Sequence, residues 1–204
     1  MWKKVIIGVV VILGLLLIAE GAFWLGHRKE NFDKKFEPTK NYKIKELSGG
    51  KIVENKKAGL SFKVPRDWNV EIFGPEGGEI TVEIDSPEVE FYPETRLPQK
   101  GCGVAVSVEY DFSGYKNLVI RDQIQKIQEN STSEENKNKE VITVSSKPAI
   151  KRLIFDSPTK GKGFQIEVPL GEDKLYNFYT FFPLSDEEKC QLEFNKFLEG
   201  VSIK

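Results

Sequence analysis

The strongest constraint on this chain is a long apolar run near its N-terminus. Residues 5–26 are apolar except for Glu20. As a helix they would be roughly 33 Å long, enough to cross a hydrocarbon core of about 30 Å. Trp2 and Trp24 lie near the two ends, where indole rings prefer the membrane interface. The sequence therefore predicts a transmembrane anchor over residues 1–26 that contacts the membrane through residues 5–26.

A cleaved signal peptide is the alternative interpretation of the same segment. Lys3 and Lys4 form a short basic region, and Ala19 and Gly21 flank Glu20 as in a small-x-small cleavage site. Against cleavage, the apolar stretch is long for a signal peptide and resumes after Gly21. Both outcomes stay open from the sequence.

The predicted orientation of the anchor differs from the one that a simple count of basic residues indicates. Two lysines precede the helix, and five basic residues follow it: Arg28, Lys29, Lys34, Lys35 and Lys40. Counting alone would place the C-terminal side in the cytoplasm. We nevertheless expect a single-pass protein of the cell membrane with its C-terminal domain outside the cytoplasm, because the segment resembles an export signal and large domains translocate despite flanking charge.

After the anchor, residues 27–50 are charged and lack apolar periodicity, so they are predicted to be a juxtamembrane linker that ends at Gly49 and Gly50. Residues 51–204 are predicted to form one domain. Alternation with period two predicts strands at residues 60–64, 80–84, 104–110, 149–155, 164–170 and 175–182. Each has one apolar and one polar face, as in antiparallel sheets. Residues 161–163 and 171–173 are predicted to be the turns of a meander over the last three strands.

Two segments have helical periodicity. In residues 117–129, Ile120, Ile124 and Ile127 share one face. The second helix is predicted to begin at Ser185, with Glu188 completing a capping box, and Gly200 suits its C-terminal end. The order of elements predicts an α+β fold in which helices cover a largely antiparallel sheet.

The residues that open this domain resemble a known family. Residues 58–68 (AGLSFKVPRDW) are similar to the opening of PsbP-like domains in bacterial exported proteins, and the last helix followed by Val201, Ser202 and Ile203 is similar to their ending. The resemblance covers residues 51–204 and implies an α/β/α sandwich around an antiparallel sheet. Plant members are extrinsic subunits that assist photosystem II. No functional residue carries over to this chain. Trp68 is interpreted as core-forming, since it can return an aromatic surface to the sheet.

The chain has few residues with which to catalyse a reaction. Its single histidine, His27, lies beside the anchor, which argues against histidine-based triads and the common zinc sites within the domain. The sequence predicts no catalytic, metal-binding or cofactor-binding residues. A carboxylate pair or a calcium site is the alternative, among the acidic residues around one strand: Glu79, Glu83, Asp85, Glu88 and Glu90. The net charge of −1 and the absence of a basic patch argue against nucleic-acid binding.

The favoured function is a non-catalytic binding or structural module outside the cytoplasm, whose partner is another envelope protein. The alternative is a carboxylate- or metal-dependent enzyme. The chain's two cysteines, Cys102 and Cys190, are 88 positions apart, and an oxidising compartment favours their pairing. A disulfide between the last helix and the sheet is predicted, with two free buried thiols as the alternative.

Overall fold

The computed structural model describes residues 36–74, 82–94, 97–110, 113–130, 133–158 and 160–204. The predicted anchor and His27 lie outside these residues. Within the described ranges, no helix is both long and apolar enough to cross a membrane.

A seven-stranded sheet, antiparallel throughout, is the main element of the described domain. In spatial order its strands are β4 (Asn69–Ile72), β5 (Val82–Asp85), β8 (Gly103–Tyr110), β12 (Lys174–Phe182), β11 (Gly161–Leu170), β10 (Lys147–Ser157) and β9 (Lys139–Val144). Strands β10, β11 and β12 form the predicted meander.

A second, four-stranded sheet contains β1 (Tyr42–Leu47), β2 (Gly50–Asn55), β3 (Leu60–Val64) and β13 (Ser202–Ile203), and a small ribbon pairs β6 (Glu90–Phe91) with β7 (Pro98–Lys100). Strand β1 lies inside residues 27–50, which were predicted to be linker, and Gly49 is in the turn of the β1–β2 hairpin. The segment was missed because only Tyr42 in β1 is buried, and the apolar residues Ile44 and Leu47 are exposed among charged ones.

The two faces of the seven-stranded sheet carry different side chains. Cross-strand partners share a face, so Val106 and Phe178 mark one face and Ser107 and Asn177 mark the other. We call these the core face and the polar face. The core face packs against the four-stranded sheet in one large apolar cluster, which includes Trp68 as predicted.

One helix lies on each face. Helix α1 (Tyr115–Glu129) packs its three isoleucines against Ile150 and Leu175 on the polar face. Helix α2 (Glu187–Glu199) packs Phe194 and Phe197 into the cluster on the core face. The α+β fold is therefore as predicted, with the four-stranded sheet sharing the core-face side with α2.

Three local predictions were wrong. Strand β8 has both faces buried from Gly103 to Glu109, whereas one wet face was expected. Gly163 lies within β11 rather than in a turn. Glycine suits this position because a Cβ would be 2.9 Å from the Phe181 ring. Ser185 lies in a 3₁₀ turn, and α2 begins two residues later, at Glu187, without a side-chain cap.

Candidate binding groove

Strand β9 is an edge strand, since among the described residues it pairs only with β10. The connecting residues Ser145 and Ser146 both have positive φ, 50° and 63°, which is typical of a two-residue type I′ hairpin. Val144 pairs with Lys147 to close that turn, and hydrogen-bonded pairs then alternate along the ladder. The backbone N–H and C=O groups of Lys139, Val141 and Thr143 therefore point away from β10.

The hairpin register agrees with its one proline. Thr143 is opposite Pro148, which has no N–H to donate, and this position is a non-hydrogen-bonded pair. The turn is also fixed from the side, because the backbone N–H of Ile203 donates to Ser145 Oγ at 2.9 Å. The edge strand is thus held in place while half of its backbone groups face outward.

Helix α2 is fixed beside this hairpin by contacts at its start. The disulfide between Cys102 and Cys190 joins it to the residue before β8, with a Cα–Cα distance of 5.4 Å. Asp186 accepts a hydrogen bond from the backbone N–H of Gly101 at 2.8 Å, which explains why its carboxylate does not cap the helix. The predicted disulfide between helix and sheet is confirmed.

The middle of α2 is held by aromatic packing. The Phe197 ring lies 5.4 Å from Phe62 of β3 and 6.1 Å from Phe178 of β12, measured between centroids. Phe194 stacks on Phe197 at 6.1 Å. These contacts bring the C-terminal half of α2 alongside β9.

An open cleft of about 410 Å³ lies between β9 and the C-terminal half of α2. Its apolar lining comes from two strands of the seven-stranded sheet, from α2 and from the residue that follows it: Ile142, Ile166, Phe194, Leu198 and Val201. Glu199 and Asn195 lie along the helix side, and Thr143 and Ser145 along the strand side. This half can accept apolar side chains next to a free strand edge.

A second cleft, of about 310 Å³, continues along the start of β9. Four lysines and two carboxylates contribute to its lining: Lys137, Lys139, Lys151, Lys162, Glu140 and Asp156. Lys151 and Glu140 line both clefts, and we call the two together the β9–α2 groove. The groove is therefore apolar at the Val144 end and basic at the Lys139 end.

The lysines at the basic end are held in defined positions. Lys151 Nζ lies 3.8 Å from the Glu140 carboxylate and 4.8 Å from the centroid of the Phe164 ring. Lys162 donates to Glu187 at 2.7 Å, and this hydrogen bond raises the pKa of Lys162. Lys162 therefore carries a positive charge at neutral pH.

Apart from the groove, a cluster of charged side chains lies on the polar face. Lys116 of α1 donates to Glu109 at 2.5 Å, and Arg152 forms an ion pair with Glu167. Burial raises the pKa of Glu167, and the Arg152 guanidinium opposes that rise. Each carboxylate is occupied by a cation from a neighbouring element.

The acidic residues singled out in the sequence do not form a metal site in the described structure. Glu88 pairs with Lys189, Glu90 lies 3.6 Å from Lys100, and Asp85 is buried. Glu79 lies outside the described residues. No group of three potential metal ligands occurs in the described parts of the chain.

The groove itself was not found from the sequence, because β9 was not predicted. Its signal was the β-branched run VITV at residues 141–144 followed by two serines. The preceding polar stretch obscured the start of this strand.

No protein-family model matches this chain, and no curated protein matches it. Among solved structures, PsbP (CyanoP) of Synechocystis sp. PCC 6803 matches with a TM-score of 0.51 at 9% identity, over 78% of this chain and 95% of that protein. This likeness shows a PsbP-like fold, as the opening and closing residues had indicated.

Two further structures match more loosely. LpqN, involved in cell envelope biogenesis of Mycobacterium tuberculosis, has a TM-score of 0.46 at 12% identity, over 80% of this chain and 90% of LpqN. A protein of Bacteroides thetaiotaomicron VPI-5482 has a TM-score of 0.45 at 13% identity, over 72% of this chain. This chain covers 45% of that protein.

Proposed function

We propose that this chain is a membrane-tethered binding module outside the cytoplasm, that it catalyses no reaction, and that it binds its partner in the β9–α2 groove. The observation that carries the proposal is the position of the groove. An apolar cleft runs beside an edge strand whose outward backbone groups have no strand partner among the described residues. Grooves of this kind suit binding by shape and backbone hydrogen bonds.

The location outside the cytoplasm has two supports. The Cys102–Cys190 disulfide suits an oxidising compartment. The apolar run of residues 5–26 is long enough to tether the domain to the membrane.

A protease experiment on the full chain in intact spheroplasts tests the tether and its orientation. We expect external protease to digest the domain while the N-terminal segment stays in the membrane fraction. Complete protection of the domain would place it on the cytoplasmic side. Release of the intact domain into the medium would indicate cleavage near Gly21.

Two substitutions on the same helix test the groove. Leu198 lines the apolar cleft, whereas Leu192 of α2 is 54% exposed and does not line it. In pull-downs from membrane extracts, Leu198→Asp should lose an envelope protein that wild type and Leu192→Asp retain. Equal recovery by all three chains would contradict the assignment of the groove.

The absence of catalysis needs its own test. Among the described carboxylates, Glu167 best suits a role as a general acid or base, because burial raises its pKa. This observation favours the alternative of a carboxylate enzyme. We expect hydrolase screens of the full chain to give no activity above background. A hydrolytic activity that Glu167→Gln abolishes while the fold is retained would establish the alternative.

A further inference from the structure

Resting on the proposed function, we infer that the β9–α2 groove binds an extended peptide segment of its partner as an added strand. The segment pairs antiparallel with β9, has apolar residues at alternate positions and carries an acidic residue near its C-terminal end. The juxtaposition of a free strand edge, an apolar cleft and a lysine-rich end carries this inference.

The backbone of β9 selects a peptide over other ligands. Lys139, Val141 and Thr143 direct their N–H and C=O groups outward, at a spacing that only another strand matches along its length. An alkyl chain could fill the apolar cleft, but it would leave these groups to water. A peptide strand satisfies them and fills the cleft with alternate side chains.

The two clefts then define the pattern of side chains. Val144 and Ile142 pair with Lys147 and Ala149, and Ile142 lines the apolar cleft between β9 and α2. Peptide residues opposite these two positions lie on the same face and point toward Leu198 and Val201. The intervening residues point to the other face of the sheet and can be polar.

Charge fixes which end of the peptide lies where. The cleft at the start of β9 has four lysines and two carboxylates, whereas the apolar cleft is lined by Glu140, Glu199 and one lysine. Lys137 and Lys162 already pair with Glu134 and Glu187. An acidic residue is therefore favoured beyond Glu140, near Lys139, which lines the same cleft. Antiparallel pairing is the more stable arrangement per residue, and it places this acidic residue toward the C-terminus of the peptide.

The test pans a phage-displayed library of random seven-residue peptides on the full chain in lipid nanodiscs, with empty nanodiscs subtracted. We expect enriched peptides to have apolar residues two positions apart followed by an acidic residue. Synthetic copies are then measured by fluorescence anisotropy. Replacing the acidic residue by its amide should weaken binding several-fold.

Two backbone perturbations separate strand addition from other binding in the groove. Thr143→Pro removes one outward N–H and should weaken binding at least tenfold, while Thr143→Ala should stay within about twofold. On the ligand, N-methylation at the peptide residues opposite Lys139, Val141 and Thr143 should abolish binding, because the N–H groups of those residues point toward β9. N-methylation at the alternate residues should leave it, and this arm does not depend on how the protein variant folds.

Each outcome decides between the inference and the proposed function. Binders that lose affinity with Leu198→Asp but tolerate both backbone perturbations would overturn strand addition and leave the groove as the binding site. The absence of any enriched peptide would overturn the inference, while the pull-down with Leu198→Asp still tests the groove. Self-association of the wild-type chain that Thr143→Pro abolishes would make a second copy the occupant and overturn it too.

Discussion

The two faces of the seven-stranded sheet are built from the same strands but held by different forces. On the core face, Phe178 packs against the aromatic residues of α2 in one continuous apolar cluster. On the polar face, its neighbour Asn177 is equally buried but accepts a hydrogen bond from Gln165 at 3.3 Å. The comparison shows that residues with the same degree of burial in this domain contribute to stability in two different ways. One face is stabilised by apolar contact, and the other hides polar groups that must be satisfied.

The largest difference should appear between these adjacent residues of β12. Phe178→Ala leaves a cavity in the core and should lower the free energy of unfolding by about 3–5 kcal/mol. Asn177→Ala should cost about 1–2 kcal/mol, because it removes one hydrogen bond. Denaturant titration of the full chain in detergent measures both. Equal losses would mean that the two faces do not differ as described.

The next largest effect should come from the disulfide, which holds only the helix on the core face. The double variant Cys102→Ser and Cys190→Ser should lose about 2–4 kcal/mol. Hydrogen exchange should accelerate in α2 and stay unchanged in α1, whose contacts with Ile150 and Leu175 are non-covalent. A similar acceleration of hydrogen exchange in both helices would show that the disulfide stabilises the whole domain instead.

The ion pair on the polar face should give a smaller, pH-dependent effect, on the order of 1 kcal/mol. Burial raises the pKa of Glu167 above its usual value of 4.5, so the folded state binds this proton more tightly than the unfolded state. The contribution of Glu167 to stability therefore falls as pH rises from about 4.5 through the folded-state pKa. Glu167→Gln should remove this decline in a series of thermal melts. A decline of the same steepness in the variant would assign it to other groups.

The smallest effect is expected at Ser107 on the polar face of β8. Its hydroxyl is fully buried and has no hydrogen-bond partner among the described residues. Ser107→Ala should change the free energy of unfolding by less than about 0.5 kcal/mol, or raise it slightly, because no bond is lost and a buried polar group is removed. A loss above 1 kcal/mol in denaturant titration would reveal a partner for this hydroxyl.

Sequence periodicity was most informative where the apolar residues were unbroken. The strands β3, β10 and β12 and the three isoleucines of α1 were predicted at nearly their observed positions. Periodicity failed at β1 and β9, whose charged residues hide short edge strands. Edge strands need less apolar surface because only part of each is covered, so their alternation is weak.

The candidate groove likewise combines an element that was predicted from the sequence, the last helix, with one that was missed, strand β9. Phe194 and Leu198 belong to the predicted last helix, but nothing in the sequence placed that helix beside Ile142. That proximity depends on β9 being the last strand of the sheet and on where the disulfide and Phe197 hold α2. These are contacts between residues far apart in the chain.

Periodicity and residue type act locally along the chain, so they sufficed to predict the α+β class, the meander and two helices. They favoured the pairing of the two cysteines but left free thiols open, and the structure shows the disulfide. The burial of Glu109 and Ser107 depends on the tertiary structure, since the residues that cover them come from outside their own strand. The tertiary structure alone also decided that β9 is an edge. Which described strand has a neighbour on one side only depends on how all the other strands pair. The edge is therefore a property of the whole sheet rather than of any one segment.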